Sequence, residues 1–367
     1  DDGFAINLGF TPDQIGQAGN LIYAPVGYNA TFFNQYYQWM TVINGVDCET
    51  NSHDTGQQNT WSGRLQQNSP CLAALIAAAL GGAKPLAFLT NAGYDSTFGV
   101  PISKTRLGDT SVLQDLIFPN RLDPNSEDSV LYHSDDTILR LREFREQRLK
   151  AQEAAQRLPS LRDSMALLYT SRLGMDELKK INDYLPEDLG NGMARQANIA
   201  LAGWLAGLTQ TASIGNGGYD THGPNSDDNQ ANQTTQLFQG VQALLNRAEE
   251  LGVIDQLLVI IGSDFGRTPR YNEATGKDHW SVGEVIIIDP GQDMVPGNRL
   301  IGATDQFGGY MRLDPNSLTP TTSGGIALKN AHIHKWIRKL MGIEGHEVVK
   351  LFPLNVEEDV DLSGPVG

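Results

Sequence analysis

Three short segments combine carboxylates with imidazoles at spacings that suit metal binding or acid–base chemistry. Gly215-Asn-Gly-Gly-Tyr-Asp220-Thr-His222-Gly223 puts an Asp and a His two residues apart in a glycine-rich turn. Glycine lets the backbone turn sharply enough for both side chains to face one centre. Carboxylate with imidazole is an ordinary donor pair for zinc, manganese or iron, although an Asp-capped turn with a hydrogen-bonded His accounts for the same spacing. Ser263-Asp264-Phe-Gly-Arg267-Thr-Pro269 offers Asp264 as a ligand or base and Arg267 as a forked donor for phosphate or sulfate. A loop-holding Asp–Arg ion pair is the alternative there. Gly276-Lys-Asp278-His279-Trp280 adds His279 as a third candidate ligand. A lone His is usually structural, but three such clusters at the ends of consecutive strands point to a common centre.

A fourth segment supplies a candidate nucleophile. Asn51-Ser52-His53-Asp54-Thr-Gly56, followed by Trp61-Ser-Gly63-Arg64, brings Ser52 to the start of a helix after a strand. Helix-end N–H groups there would stabilise charge developing on a substrate. Asn-Ser is also an ordinary helix N-cap. His332 and His334 precede an amphipathic run, and their spacing keeps them off a common helical face, so they form no ligand pair.

These segments need elements to position them. Short β-type runs fall at Met40–Val46, Pro85–Thr90, Thr209–Ile214, Leu257–Gly262, Glu284–Ile288 and Arg299–Gly302. The unbroken apolar run of Leu257–Gly262 suits a strand buried on both faces, as in a parallel sheet covered by helices. Helical patterns alternate with the strands: Cys71–Leu80, and Asn229–Leu251 with Gly252 as its stop. The alternation predicts an α/β fold with a mostly parallel central sheet flanked by helices. Such sheets place functional residues just past the carboxyl ends of strands, where three of the four segments lie. Residues 105–200 read differently. Asp136–Gln156, Ser160–Arg172, Asp176–Tyr184 and Met193–Leu208 are helical patterns, forming an insertion or cap within a single domain spanning 1–367. Its charge run reads as a solvated face.

Composition sets outer limits. The chain has 367 residues, 40% of them hydrophobic, with 27 Lys+Arg against 43 Asp+Glu and a net charge of −16. That is material for a sizeable core, and an acidic balance makes the chain a poor candidate for non-specific binding to nucleic acid or anionic membranes, which need a basic surface. No run approaches the roughly 18–20 apolar residues of a membrane span. Cys48 and Cys71 either pair or remain buried thiols. There is no signal peptide, and the chain does not begin with Met, which suits a processed or incomplete product.

Asp220-Thr-His222, Ser263-Asp264-Phe-Gly-Arg-Thr-Pro269 and Asp278-His279-Trp280, in this order, resemble the secreted bacterial proteins of domain-of-unknown-function family 1501. Asn44-Gly-Val-Asp47…Asn51-Ser-His53 and Leu351-Phe-Pro353 extend the resemblance. That family is similar in turn to the alkaline-phosphatase-like superfamily of phosphatases, sulfatases and cofactor-independent phosphoglycerate mutases. The resemblance implies a mostly parallel sheet between helices and metal ions that activate a nucleophile against a phosphate or sulfate ester. It puts Ser52 at the nucleophile position, Asp220, His222 and His279 in a first metal site, and Asp264 in a second.

Two departures qualify these expectations. Phe265 stands where the superfamily commonly has a metal-binding His, and the resemblance implies an opening strand ending in a metal-binding Asp upstream of the region matching Asp1, a strand either cut off, not included in this sequence or truly missing. A single-metal site, or an empty one, is therefore expected rather than an intact pair, with zinc or manganese as the divalent ion if one is held. The expected partners are a small anionic ester and, if the opening strand is absent, another subunit or a complementing N-terminal fragment to cover the sheet edge. The resemblance also implies a secreted or periplasmic location. The alternative function is a non-catalytic secreted structural or assembly protein that retains the fold.

Overall fold

The computed structural model describes residues 14–106, 113–159, 161–162, 165–166, 177–364 and 366. Strands form at all six expected runs: Met40–Asp47, Phe88–Thr90, Thr211–Ser213, Val259–Gly262, Val282–Ile288 and Arg299–Ile301. The helices Leu72–Gly81, Asp135–Ala155, Gly192–Leu205 and Ser226–Glu250 also follow the sequence pattern. Most of the expected helix over Ser160–Arg172 lies outside the described residues. From Asp176–Tyr184, helix is found over Lys179–Asn182.

The chain divides into two compact units. The first comprises Asp1–Leu72, Gly192–Ala194 and Gly215–Gly367. Its principal sheet has four strands in the order Arg299–Ile301, Met40–Asp47, Val282–Ile288, Val259–Gly262. Met40–Asp47 is buried along most of its length, with Met40 and Ile43 fully enclosed. Each such side chain removed from water contributes about 1.5–3 kcal/mol. Helices Asn29–Tyr36 and Ser226–Glu250 meet through aromatic rings, Phe32 stacking on Phe238 with centroids 4.4 Å apart. Helix Asn330–Leu340 packs against helix His53–Ser62, where His334 Nε2–H donates to the carbonyl of Thr60 at 2.8 Å.

The second unit comprises Ala73–Asn191 and Arg195–Ile214. Its sheet is parallel throughout, in the order Lys104–Arg106, Phe88–Thr90, Thr211–Ser213. Thr211 Oγ1 donates to the carbonyl of Ala73 in helix Leu72–Gly81. Ile117, Leu178, Ile181, Ala202 and Leu208 form a buried cluster, and Leu89 packs on Ile199.

The α/β class holds, but the expected mostly parallel central sheet is corrected. The larger described sheet is mixed: Val282–Ile288 runs antiparallel to both Met40–Asp47 and Val259–Gly262, and only Arg299–Ile301 joins in parallel. The apolar run ending at Gly262 is an edge strand, half-buried along its length. An apolar run records that a strand is shielded from water, not which way its neighbour runs.

Candidate functional site

Strand direction brings the site together. Asp47 pairs with Val282, and Gly262 pairs with Val285, so the carboxyl ends of two strands and the amino end of a third share one edge of the sheet. His53 follows the first strand, Asp264 follows the second, and His279 precedes the third. In an all-parallel sheet His279 would lie at the opposite end from the other two.

Helix His53–Ser62 aims its first residue by packing one face on the segment after Gly262. His53, Gly56 and Thr60 are three and four residues apart and share that face. Thr60 Oγ1 donates to the carbonyl of Ser263 at 2.8 Å. A Cβ on Gly56 would stand 2.7 Å from the carbonyl oxygen of Asp264 and 3.1 Å from its Cβ, so only glycine permits this approach. The ring of His53 thereby reaches the Asp264 carboxylate, Nδ1 to Oδ2, at 2.5 Å.

The Asp220–His222 loop is anchored by helix Ser226–Glu250. Gln230 Nε2 donates to Thr221 Oγ1 at 2.9 Å, and Asn216 Nδ2 donates to the carbonyl of Gln233. Segment 270–278 then closes over His222: Asn272 Nδ2 donates to the His222 carbonyl at 3.1 Å and to Asp278 Oδ1 at 2.8 Å. Gly276 lies so close that a Cβ there would overlap the His222 backbone.

Asp220 Oδ1 is the centre of the cluster. His222 Nε2 lies 2.8 Å from it, His279 Nε2 3.0 Å and His53 Nε2 3.2 Å. Arg267 donates to the same oxygen at 2.9 Å and to the carbonyl of Tyr219 at 2.8 Å. The bonds from His279 and Arg267 hold the Asp220 carboxyl well below the usual carboxylate range. Burial works against a charge on His53, but its bond to Asp264 and the nearby Asp220 carboxylate outweigh burial and raise its pKa. Bonds from His222 and Asn272 lower that of Asp278. The Asp220 side chain is 53% exposed and that of Arg267 only 17%, so the cluster opens to solvent at Asp220 over a shielded floor.

The structure thus unites Asp220, His222, Asp264, Arg267 and His279. Asp264 reaches the cluster through His53. Arg267 is ion-paired to Asp220, not to Asp264 as the local sequence alternative had it. Ser52 occupies the N-cap of helix His53–Ser62, exposed and without a capping bond from its hydroxyl. His332 and His334 stand apart, buried on helix Asn330–Leu340. Cys48 and Cys71 are buried and not joined by a disulfide. Sequence reasoning passed over two members of the cluster. His53 appeared only as a neighbour of Ser52, and Asp278 only as a neighbour of His279; adjacency to a chosen residue was the one available signal. Asn272, inside an unremarkable loop, carried none.

The donor set fits a metal ion. His53, Asp220 and His279 each present one ligand atom, all within 4.8 Å of one another. His222 Nε2 borders the same group, 3.0 Å from His279 Nε2.

Fold and site together define an α/β protein with a solvent-facing histidine–carboxylate cluster at one edge of a mixed sheet. The chain belongs to the protein family of unknown function DUF1501, whose model matches residues 124–330, a span that includes Asp220, His222, Asp264, Arg267 and His279. No curated protein matches the chain.

Proposed function

We propose that this chain is a metal-dependent hydrolase-like protein of the alkaline-phosphatase-like superfamily, acting on a phosphate or sulfate ester, with Ser52 as nucleophile. The observation that carries the reading is the state of Ser52. Its hydroxyl sits at a helix N-terminus without a capping bond, one residue from the His53 ring that meets both Asp264 and Asp220. Unpaired N–H groups at that terminus favour an anionic ester. Asp220, His222 and His279 would hold the ion, zinc or manganese, with Asp264 as a further candidate. Such an ion supplies Lewis-acid polarisation of the ester and lowers the pKa of a hydroxyl beside it. Arg267 would place its charge beside the ester oxygens.

A second reading, a non-catalytic exported structural or assembly protein, has one observation in its favour. Arg267 is already occupied by Asp220 and two backbone carbonyls, those of Tyr219 and Lys277. Another subunit or an N-terminal fragment is the candidate partner under that reading.

The test is turnover of p-nitrophenyl phosphate and p-nitrophenyl sulfate by the zinc- or manganese-loaded chain. Hydrolysis that a chelator abolishes, and that Ser52→Ala lowers by roughly a thousandfold or more with the fold intact, is the expected result. Undiminished turnover in Ser52→Ala removes Ser52 from the chemistry. No turnover on either ester with metal bound favours the second reading.

A further inference from the structure

Each imidazole of the cluster is held from behind. His53 Nδ1 meets Asp264 Oδ2 at 2.5 Å, His222 Nδ1 meets Asp278 Oδ1 at 2.9 Å, and His279 Nδ1 meets the carbonyl oxygen of Asn51 at 2.7 Å. Nε2 of each ring faces a further acceptor, Asp220 Oδ1, and a metal ion bound at Nε2 would leave the single hydrogen of a neutral ring on Nδ1, where the oxygen behind it accepts. In that tautomer each Nε2 would present a lone pair, and all three turn toward Asp220 Oδ1, itself an acceptor, at 2.8, 3.0 and 3.2 Å. Four acceptor atoms gathered in this way need a cation among them, a proton or a metal ion. Arg267 meets part of the demand, through Asp220 at 2.9 Å and, more distantly, His222 Nε2 at 3.4 Å. His53 Nε2 is sealed from solvent, and its 3.2 Å approach to Asp220 lacks hydrogen-bond alignment.

We propose that the cluster binds one transition-metal ion through Nε2 of His53, His222 and His279 and a carboxylate oxygen of Asp220. Asp264, Asp278 and the Asn51 carbonyl are positioning groups that fix the rings, and Asn272 in turn holds Asp278. The inference rests on the metal-dependent reading above and deepens it. It departs from the ligand set implied by the resemblance, where Asp264 serves a second ion and His53 has no part.

Three observations support it. An ion bound at about 2.0–2.1 Å keeps neighbouring ligand atoms roughly 3.0–3.4 Å apart, close to the 2.8–3.2 Å spacings around Asp220 Oδ1. A carboxylate or carbonyl behind each imidazole is the usual way a ligating ring is oriented and made more basic. Phe265, buried beside Asp264, packs its ring 4.9 Å from that of His53 and 4.3 Å from that of His279, filling with hydrocarbon the flank a second ion would need. Three imidazoles with one oxygen favour zinc, iron or manganese over calcium or magnesium.

The experiment is zinc titration of the metal-stripped full chain. Native mass spectrometry reads the stoichiometry, competition with a chromogenic chelator reads the affinity, and circular dichroism checks the fold of each variant. We expect one zinc per chain in the wild type and in Asp264→Ala. Asp264→Ala should bind roughly 10–100-fold more weakly, as for loss of a group behind a ligand, with partial rescue in Asp264→Asn, whose amide oxygen still accepts from Nδ1. His53→Ala and His53→Gln should lose more affinity than Asp264→Ala. Two zinc ions in the wild type that fall to one in Asp264→Ala would overturn the inference and leave the metal-dependent reading standing. Wild-type affinity in His53→Ala would do the same. No zinc on the folded wild type would overturn both.

Discussion

His334 makes the stability of the first unit depend on pH in a calculable way. The residue is 3% exposed, wedged between helix Asn330–Leu340 and helix His53–Ser62. Its Nε2–H donates to the Thr60 carbonyl, while Nδ1 is buried without a partner. Burial is the main cause that pushes its pKa down to about 4; the Thr60 bond works in the opposite direction, and the charge of Arg338 adds to the lowering. The unfolded chain has an ordinary histidine with a pKa of 6.5, so it takes up this proton first as pH falls. The contribution is whole above about pH 6.5, declines between about pH 6.5 and 4, and is gone below. The gap corresponds to about 3 kcal/mol. Urea unfolding at roughly pH 7.5 and pH 4.5 reads it, comparing wild type with His334→Gln. Glutamine can still donate to Thr60 but does not titrate. Carboxylates elsewhere weaken both proteins in acid, so the difference between them isolates His334: the wild type should lose about 2–3 kcal/mol more than the variant. Equal losses would refute the reasoning, because a buried neutral imidazole would then not be what acid attacks.

Further outcomes follow from the same packing. Gly276→Ala drives a methyl into the His222 backbone. It should cost about 1–3 kcal/mol by urea unfolding and weaken zinc binding, whereas Gly223→Ala, with open space around its Cβ, should do neither. Cys48 is 3% exposed and burial pushes its thiol up to about 12. It should therefore resist a thiol reagent in the native state and react promptly in denaturant, as measured by Ellman titration. Phe32→Ala removes a fully buried ring stacked on Phe238 and should lower stability by about 3–5 kcal/mol. A loss below 1 kcal/mol would mean the two helices do not depend on that contact.

Much of the site was legible before any fold was known. The chemistry of Asp220, His222, Arg267 and His279 and their places beside apolar runs mark them out in the sequence, and they meet at Asp220, with Asp264 joined to them through His53. What the residue pattern could not supply was the connection among them. In the sequence His53 has no role of its own, because its reach to Asp264 depends on Gly56, three residues on, lying against a segment more than 200 positions away. The ion-pair partner of Arg267 was likewise a matter of distance in space: Asp264 is three residues away in sequence, yet Asp220 is the carboxylate that its guanidinium reaches.

The sequence by itself determined where strands and helices form, because alternation of apolar runs with helical periodicity is local and survives in any fold that buries it. It also determined which side chains have the chemistry to bind a metal. Only the tertiary structure decided strand direction. A strand's side chains read the same whether its neighbour runs parallel or antiparallel, yet direction decides which loop ends share an edge. Val282–Ile288 runs against both its neighbours, and for that reason His279, which precedes a strand, lies beside His53, which follows one.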